Sequence, residues 1–341
     1  MKNIMLHAYC ADNLGDDLFI RLICRRYPQT LFHTVTEGVY GKGLSALSNL
    51  KLHPMKFPDR LRDRLHSRWT ARERLAKRCD GLIHIGGSIF IQNNNWEQKF
   101  RNYSRLISAA KKRYVIGANF GPYTDEAYLL KYGELFSRMD GICFRDSFSY
   151  KLFPHLNNTD WAPDLLFAGE YIPYRKEGSY AVISVMDKGP AYFKQMAALG
   201  DFLYGRGYLV VLMGFCTGEG DAAACLKISG MMQGRHRVYC YCGDLEEALR
   251  IIGGAALIIS ARFHGAILGW AMGKPVYPIV YSEKTKHVLA DLWPDCAFCT
   301  LEEIDSLDFK EAADAITFSG DFTELRARAA KHLKLIEELV L

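Results

Sequence analysis

Three polar residues stand close together in an otherwise apolar run, Leu257-Ile-Ile-Ser260-Ala-Arg262-Phe-His264-Gly265-Ala-Ile-Leu-Gly-Trp. The run reads as a buried strand, a short turn and a small-residue helix, so Ser260, Arg262 and His264 fall where strand passes into helix. A helix N-terminus offers unpaired N–H groups and a partial positive charge, which together with Arg262 favour a phosphate or a carboxylate. The same field is expected to depress the pKa of His264 and to hold it ready for proton transfer near neutral pH. Gly265 permits close backbone approach. Pro275 then restarts a strand toward Tyr281 and Lys284, and Lys284 is expected to reach the same mouth.

Further polar loops follow apolar segments. Asn13-Leu-Gly15-Asp16-Asp17 opens the first helix, where Asp16 also reads as a first-turn carboxylate complementing the helix dipole. Gly86-Gly87-Ser88 is a glycine turn whose backbone amides suit an anion or a sugar, and Gly117-Ala-Asn119-Phe-Gly121-Pro122 is another. Arg145-Asp146-Ser147 ends a strand directly in a charged pair.

The elements that must position these loops alternate. Residues 2–9 read as a strand followed by a turn and an amphipathic helix, and the pattern recurs at 81–85, 113–116 and 141–144. Residues 162–179, with two prolines, two glycines and mixed charge, read as a connection between domains. Strands at 180–185, 208–213, 237–241 and 256–259 then alternate with helices at 191–204, 221–232 and 245–252. Short buried strands alternating with helices imply a parallel sheet. The expected architecture is α/β, two Rossmann-like domains facing a cleft: an N-terminal domain at 1–170, a C-terminal domain at 178–320 and a closing amphipathic helix at 321–341. In such sheets ligands bind beyond the carboxyl ends of the strands, where all of these loops lie.

Composition bounds the function. The 341 residues are 49% hydrophobic and 24% charged, the balance of a soluble globular protein with room for two cores. No apolar run approaches the ~20 residues of a membrane span, and no secretory signal is evident, so a cytoplasmic protein is expected. Ten irregularly spaced cysteines then read as reduced thiols. Cys240-x-Cys242 and Cys296-x-x-Cys299 lack the spacing of a paired zinc module, so no metal is expected. The net charge of +5 and the lack of a recognised motif argue against nucleic acid. Between Lys51 and Arg78, ten Lys/Arg face three Asp/Glu, with Trp69 among them. This stretch reads either as a solvated amphipathic helix or as a peripheral contact with a diphosphate-linked acceptor or the anionic inner face of the membrane.

In order along the chain, Asn13-x-Gly15-Asp16, Ile85-Gly86-Gly87-Ser88, Gly117-x-Asn119-Phe120-Gly121-Pro122, Phe144-Arg145-Asp146-x-x-Ser149, Pro163-Asp164, Ser260-x-Arg262-x-His264-Gly265 and Pro275-Val276 through Tyr281-x-x-Lys284 resemble the polysaccharide pyruvyl transferases. The resemblance covers about residues 10 to 290. Ser88 departs from it, standing where many members have a third glycine.

The resemblance implies a glycosyltransferase-B-like fold and phosphoenolpyruvate as donor substrate, with no further cofactor. It also implies that Arg145, His264 and Lys284 match the family's functional Arg, His and Lys. The expected reaction joins pyruvate as a ketal to two hydroxyls of a sugar in a cell-surface polysaccharide or its lipid-linked precursor. His264 is then expected to move protons, while Arg262, Arg145 and Lys284 bind the donor's anions. The 1–170 domain is expected to hold the acceptor and the 178–320 domain the donor. Asn13, Gly15, Asp16, Gly86, Gly87, Ser88, Asn119, Gly121, Asp146, Ser260, Gly265 and Tyr281 complete the expected substrate contacts. A nucleotide-sugar glycosyltransferase and a non-catalytic glycan- or phosphate-binding protein stand as alternatives on the same architecture.

Overall fold

A computed structural model describes residues 1–36, 41–56, 58–59, 70–171, 179–315 and 322–341. The chain divides into two compact units. The first contains Met1–Cys10, Asp16–Ala168 and Leu325–Leu341; the second contains Ala11–Gly15 and Gly169–Glu324. Residues 57 and 60–69 of the basic stretch at 51–78, Trp69 included, and residues 172–178 of the expected connection at 162–179 lie outside the described residues.

The first unit is built on a seven-stranded sheet of order β3-β2-β1-β4-β5-β6-β7. Its strands are β1 (Asn3–His7), β2 (Leu31–Thr36), β3 (Leu50–Pro54), β4 (Gly81–Ile85), β5 (Arg113–Ala118), β6 (Gly141–Phe144) and β7 (Thr159–Trp161). All pairings are parallel. The helices are α1 (Leu14–Arg26), α2 (Ala71–Arg78), α3 (Trp96–Ala109), α4 (Glu126–Phe136) and α5 (Ser147–Lys151). β4 and β6 are buried at every residue, as the strands of a parallel sheet covered on both faces must be. Thr70 and Glu73 form a reciprocal capping box that starts α2, an arrangement worth about 1 kcal/mol.

The core of this unit matters for the loops above it. Phe90 and Phe120 follow β4 and β5, and their rings pack with Tyr132 and Phe136. The Gly121 amide donates to the Phe90 carbonyl at 2.7 Å. Aromatic burial thereby anchors the loops that carry Gly86–Ser88 and Asn119–Gly121.

The second unit repeats the plan with a six-stranded sheet of order β10-β9-β8-β11-β12-β13. Its strands are β8 (Tyr180–Val185), β9 (Leu209–Gly214), β10 (His236–Cys240), β11 (Leu257–Ser260), β12 (Val276–Val280) and β13 (Cys299–Thr300). Its helices are α6 (Pro190–Gly205), α7 (Asp221–Ser229), α8 (Leu245–Gly254), α9 (Phe263–Ala271), α10 (Glu283–Leu292) and α11 (Phe309–Ala313). In both sheets the strand order reverses beside the first strand, between β1 and β4 and between β8 and β11. Those reversals are where open α/β sheets bind ligands.

Two local outcomes differ from the sequence expectation. The C-terminal segment forms two helices, α12 (Phe322–Ala329) and α13 (Lys331–Val340), divided at Ala330. Leu325, Leu333, Ile336 and Leu339 are buried, so the amphipathic face is used as expected. From Leu325 onward this segment belongs to the first unit. Tyr27 donates to the Leu333 carbonyl at 2.9 Å, and Thr30 to that of Val340 at 2.6 Å. The second difference is that residues 11–15, expected in the N-terminal domain, count with the second unit: the Leu14 amide donates to the Phe215 carbonyl at 3.0 Å.

Among the described residues no helix is long and apolar enough to cross a membrane, and no group of three or more His, Cys, Asp or Glu side chains is placed to hold a metal ion.

Candidate active-site loops

In the second unit the reversal point is closed by two serines. Ser184, in β8, and Ser260, ending β11, have their hydroxyl oxygens 2.8 Å apart, with both residues buried. The Arg262 amide donates to Ser184 Oγ at 3.0 Å, and Ser260 Oγ donates to the Arg262 carbonyl at 2.8 Å. The turn between β11 and α9 is therefore tied to β8 by side chains. Gly265 fits beneath it because a Cβ there would lie 2.4 Å from Ser260 Oγ.

Arg262 does not present an open cation. It is 8% exposed, and its Nε donates to Asp221 Oδ2 at 3.0 Å, while Nη2 reaches Asp221 Oδ1 and Nη1 reaches Glu219. Burial works against the guanidinium charge, but hydrogen bonds and attraction from Asp221, and then Glu219, outweigh it and keep the group protonated. Asp221 also accepts from the Phe215 and Cys216 amides at 2.9 and 3.0 Å. Burial raises its pKa, and Arg262 opposes the rise. One cation facing two carboxylates does not favour an incoming anion, and the direct anion contact expected of Arg262 would have to compete with Asp221 and Glu219.

His264 occupies the first turn of α9 and is half-buried. Its ring lies against Gly15: a Cβ on Gly15 would come 1.8 Å from His264 Nδ1. Only a glycine at position 15 leaves the ring where it is. Asn13 shapes that approach, its Oδ1 accepting from the Gly15 amide at 3.1 Å.

The neighbouring strand supplies cations. Tyr281 follows β12, and Lys284 Nζ lies 5.4 Å from its ring centroid. Lys188, in the loop after β8, places its Nζ 5.0 Å from the same ring. Both distances suit cation–π attraction.

In the first unit the loops after β4, β5 and β6 converge on Arg145. This residue is 2% exposed; its Nη2 donates to Asn119 Oδ1 at 2.7 Å, and its Nη1 lies 3.4 Å from Asp164 Oδ2. Asp164 is fully buried, which raises its pKa against the pull of Arg145. A Cβ on Gly87 would fall 2.3 Å from Arg145 Nη1, so the guanidinium packs flat against the glycine turn. Gly86 has φ +149 and Gly121 has φ +93, conformations that glycine adopts readily. The Asn119 amide donates to the Gly87 carbonyl at 2.9 Å, and its side chain donates to the Gly121 carbonyl at 3.1 Å.

Asp146 caps α5 by accepting from the Ser149 amide at 2.7 Å, and Ser149 Oγ accepts from the Phe120 amide at 2.7 Å. Asp146 thus holds the loop through the cap of α5. Asp16 is buried beside the Gly86 turn, its Oδ1 3.6 Å from where a Cβ on Gly86 would stand. Ser88, at the end of that turn, is half-buried.

Each unit therefore gathers its own predicted residues: Gly86, Gly87, Asn119, Gly121, Arg145 and Asp146 in the first, and Asn13, Gly15, Ser260, Arg262, His264 and Gly265 in the second. Sequence reasoning missed Ser184, Lys188, Glu219 and Asp221, and gave Asp164 no role. A lone serine at a strand end carries no signal of its own. Asp221 reads locally as an ordinary first-turn carboxylate.

Two parallel-sheet α/β units with ligand-type loops at both reversal points define a glycosyltransferase-B-like protein. Among solved structures, Anabaena HepE in complex with UDP-glucose is 13% identical, with TM-score 0.59 and 99% of both chains covered. UDP-N-acetylglucosamine 2-epimerase from Rickettsia bellii is 10% identical, with TM-score 0.60 over 100% of this chain and 97% of its own. A glycosyltransferase from Rickettsia africae is 10% identical, with TM-score 0.54 over 99% of this chain and 97% of its own. At these identities the likeness is one of fold. The polysaccharide pyruvyl transferase family model matches residues 13–283, and the chain belongs to that family. The amylovoran biosynthesis protein AmsJ of Erwinia amylovora is 23% identical over an alignment 258 residues long that covers 63% of this chain and 60% of AmsJ.

Proposed function

We propose that the protein transfers pyruvate from phosphoenolpyruvate to two hydroxyls of a sugar in a polysaccharide or its precursor, releasing phosphate and leaving a cyclic ketal. The observation that carries this reading is the half-buried His264 held against Gly15 at the β11–α9 turn, in a chain matched by the family model over residues 13–283. The amylovoran biosynthesis role named for AmsJ supports a polysaccharide acceptor.

The reaction needs one proton delivered to carbon and two removed from oxygen. Protonation of C3 of phosphoenolpyruvate turns its methylene into a methyl group and makes C2 electrophilic. One sugar hydroxyl attacks C2 and loses its proton, the C2–O bond to phosphate breaks, and a second hydroxyl closes the ring with loss of its own proton. In this proposal His264 supplies the proton to C3 and accepts one from a hydroxyl. Arg262, neutralised by Asp221 and Glu219, orients the turn that carries His264. Lys284 and Lys188 on either contact of Tyr281 attract the donor's phosphate or carboxylate. Gly86, Gly87 and Ser88 offer backbone amides backed by the Arg145 guanidinium.

The test is incubation of the full-length protein with phosphoenolpyruvate and a panel of free, nucleotide-linked and lipid-linked hexosides and N-acetylhexosaminides. Sugar-dependent phosphate release, with a product heavier by pyruvic acid less water, is expected. Turnover of UDP-glucose or another nucleotide sugar, with no use of phosphoenolpyruvate, would instead make the protein a glycosyltransferase.

A further inference from the structure

The second unit holds a cavity of about 460 Å³ whose lining includes no residue of the loops at its reversal point. Val276 and Tyr277, the first residues of β12, line it, so it lies at the amino edge of the sheet. The ligand-type loops lie at the opposite, carboxyl edge. Helix α9 joins the two places: His264 stands in its first turn and Trp270, which lines the cavity, near its end. At 1.5 Å per residue the two are roughly 10 Å apart along the helix axis.

The wall of this cavity is aromatic for a local reason. Pro294 disfavours helical backbone at the residue before it, so α10 ends at Leu292 and Trp293 leaves the helix at φ −146 and ψ 73. The Trp293 ring then lies against Trp270, with centroids 4.2 Å apart. Tyr277 completes the wall and donates its hydroxyl to Glu311 Oε2 at 2.9 Å.

The charges can be followed one by one. Asp295, Glu311 and Asp314 line the cavity, and no Lys, Arg or His does. Arg206 answers Asp314 at 2.8 Å. Burial, and then Glu311, hold the Tyr277 phenol well above its usual pKa, so Tyr277 gives Glu311 a neutral hydrogen bond and leaves its charge in place. Neither Glu311 nor Asp295 has an ion pair among the described residues, and both are exposed to solvent. Burial pushes the Cys296 thiol up to about 11, so this lining residue adds no charge at neutral pH. Two negative charges without a cation therefore stand beside three aromatic rings.

That combination selects a cation. Aromatic faces attract one electrostatically, and carboxylates bind an ammonium through charge-assisted hydrogen bonds. An anion would meet only like charge. The volume falls within the roughly 300–1,000 Å³ of small-molecule sites. We propose that this cavity binds a small organic amine in its protonated form, with its apolar or aromatic body against Trp270, Tyr277 and Trp293 and its ammonium against Asp295 and Glu311. The site is separate from the pyruvyl-transfer chemistry and does not rest on it.

The test uses three probes that share one body and differ in charge: phenethylamine, phenethyl alcohol and phenylacetate. Each is titrated into the full-length protein, with maltose as a neutral sugar, by calorimetry and by tryptophan fluorescence. The expected result is saturable binding of one phenethylamine per chain, about ten-fold or more tighter than phenethyl alcohol, with no binding of phenylacetate. Glu311→Gln keeps an acceptor for Tyr277 and removes the charge, and Asp295→Asn changes an exposed side chain. Both should keep the wild-type melting temperature, and the double variant should bind phenethylamine about ten-fold or more weakly. Absence of saturable phenethylamine binding, equal binding of phenethyl alcohol, affinity unchanged in the double variant, or binding of maltose in place of the amine would overturn the proposal. Phenethylamine binding is read without phosphoenolpyruvate or acceptor, so its failure is distinct from a failure of pyruvyl transfer.

Discussion

Gly15 holds His264 in place by lacking a side chain: a Cβ at position 15 would stand 1.8 Å from His264 Nδ1, far inside any tolerated contact. Gly15 lies in the first turn of α1, where alanine would ordinarily favour the helix by up to about 1 kcal/mol. Gly15→Ala therefore sets helix preference against ring position. Displacing a reacting group by about 1 Å can cost roughly a hundred-fold in rate. We expect kcat to fall by about that factor while the melting temperature changes little. Steady-state kinetics beside calorimetry check this, and an unchanged kcat would remove His264 from the reaction.

The Asp221–Arg262 pair predicts a stability effect. Both side chains are buried, and Asp221→Asn would strand the guanidinium beside the partly exposed Glu219. Breaking a buried pair from one side costs about 3–5 kcal/mol, and replacing both partners with apolar residues restores much of it. Chemical denaturation should show Asp221→Asn strongly destabilised, Glu219→Gln nearly neutral, and Asp221→Leu/Arg262→Met recovered in stability but impaired in turnover. Equal stability of Asp221→Asn and the wild type would contradict the pairing.

The serine pair allows a finer measurement. Ser184→Ala and Ser260→Ala each remove one side of the 2.8 Å contact between β8 and β11. A hydrogen bond of this kind contributes about 1 kcal/mol, so the double-mutant cycle should show coupling of that order. Strict additivity would mean that the two hydroxyls do not act on each other.

Much of this was open to sequence reading, for identifiable reasons. Strands such as Gly81–Ile85 and Leu257–Ser260 are short, fully buried and followed by polar turns, so alternation alone reveals two parallel sheets. His264 stood out because a strand-to-helix turn is an unusual place for two cationic side chains. The partners of Arg262 did not, because Glu219 and Asp221 lie more than 40 positions away along the chain, and pairing depends on the sheet order. The amphipathic face of residues 322–340 signals that the segment packs, but no local pattern tells which unit receives it. That answer rests on Tyr27, Thr30 and Pro163 contacts from distant parts of the chain.

His332 gives the fold a pH dependence. Its ring is buried in the first unit, with Nε2 3.0 Å from the Pro163 carbonyl, and burial lowers its pKa from 6.5 to about 4. The bond to Pro163 and the charge of Asp160 oppose that fall, and Arg145 adds to it. Between those values the unfolded chain holds a proton that the folded chain does not. Stability is therefore complete above pH 6.5 and falls as pH drops toward 4, by up to about 3 kcal/mol from this group. Urea unfolding across that range should show a shallower slope in His332→Gln than in the wild type. Identical slopes would rule out the neutral buried ring.

The central claim is that His264 delivers a proton to C3 of phosphoenolpyruvate while a ketal forms at C2. It is tested most directly by running the reaction in D2O with an accepted sugar and reading the product methyl group by NMR and mass. The account predicts one deuterium in that methyl group in the wild-type product, and product formation reduced by orders of magnitude in His264→Gln. A product that keeps a vinyl group without deuterium, or full deuterium incorporation at an undiminished rate in His264→Gln, would contradict it.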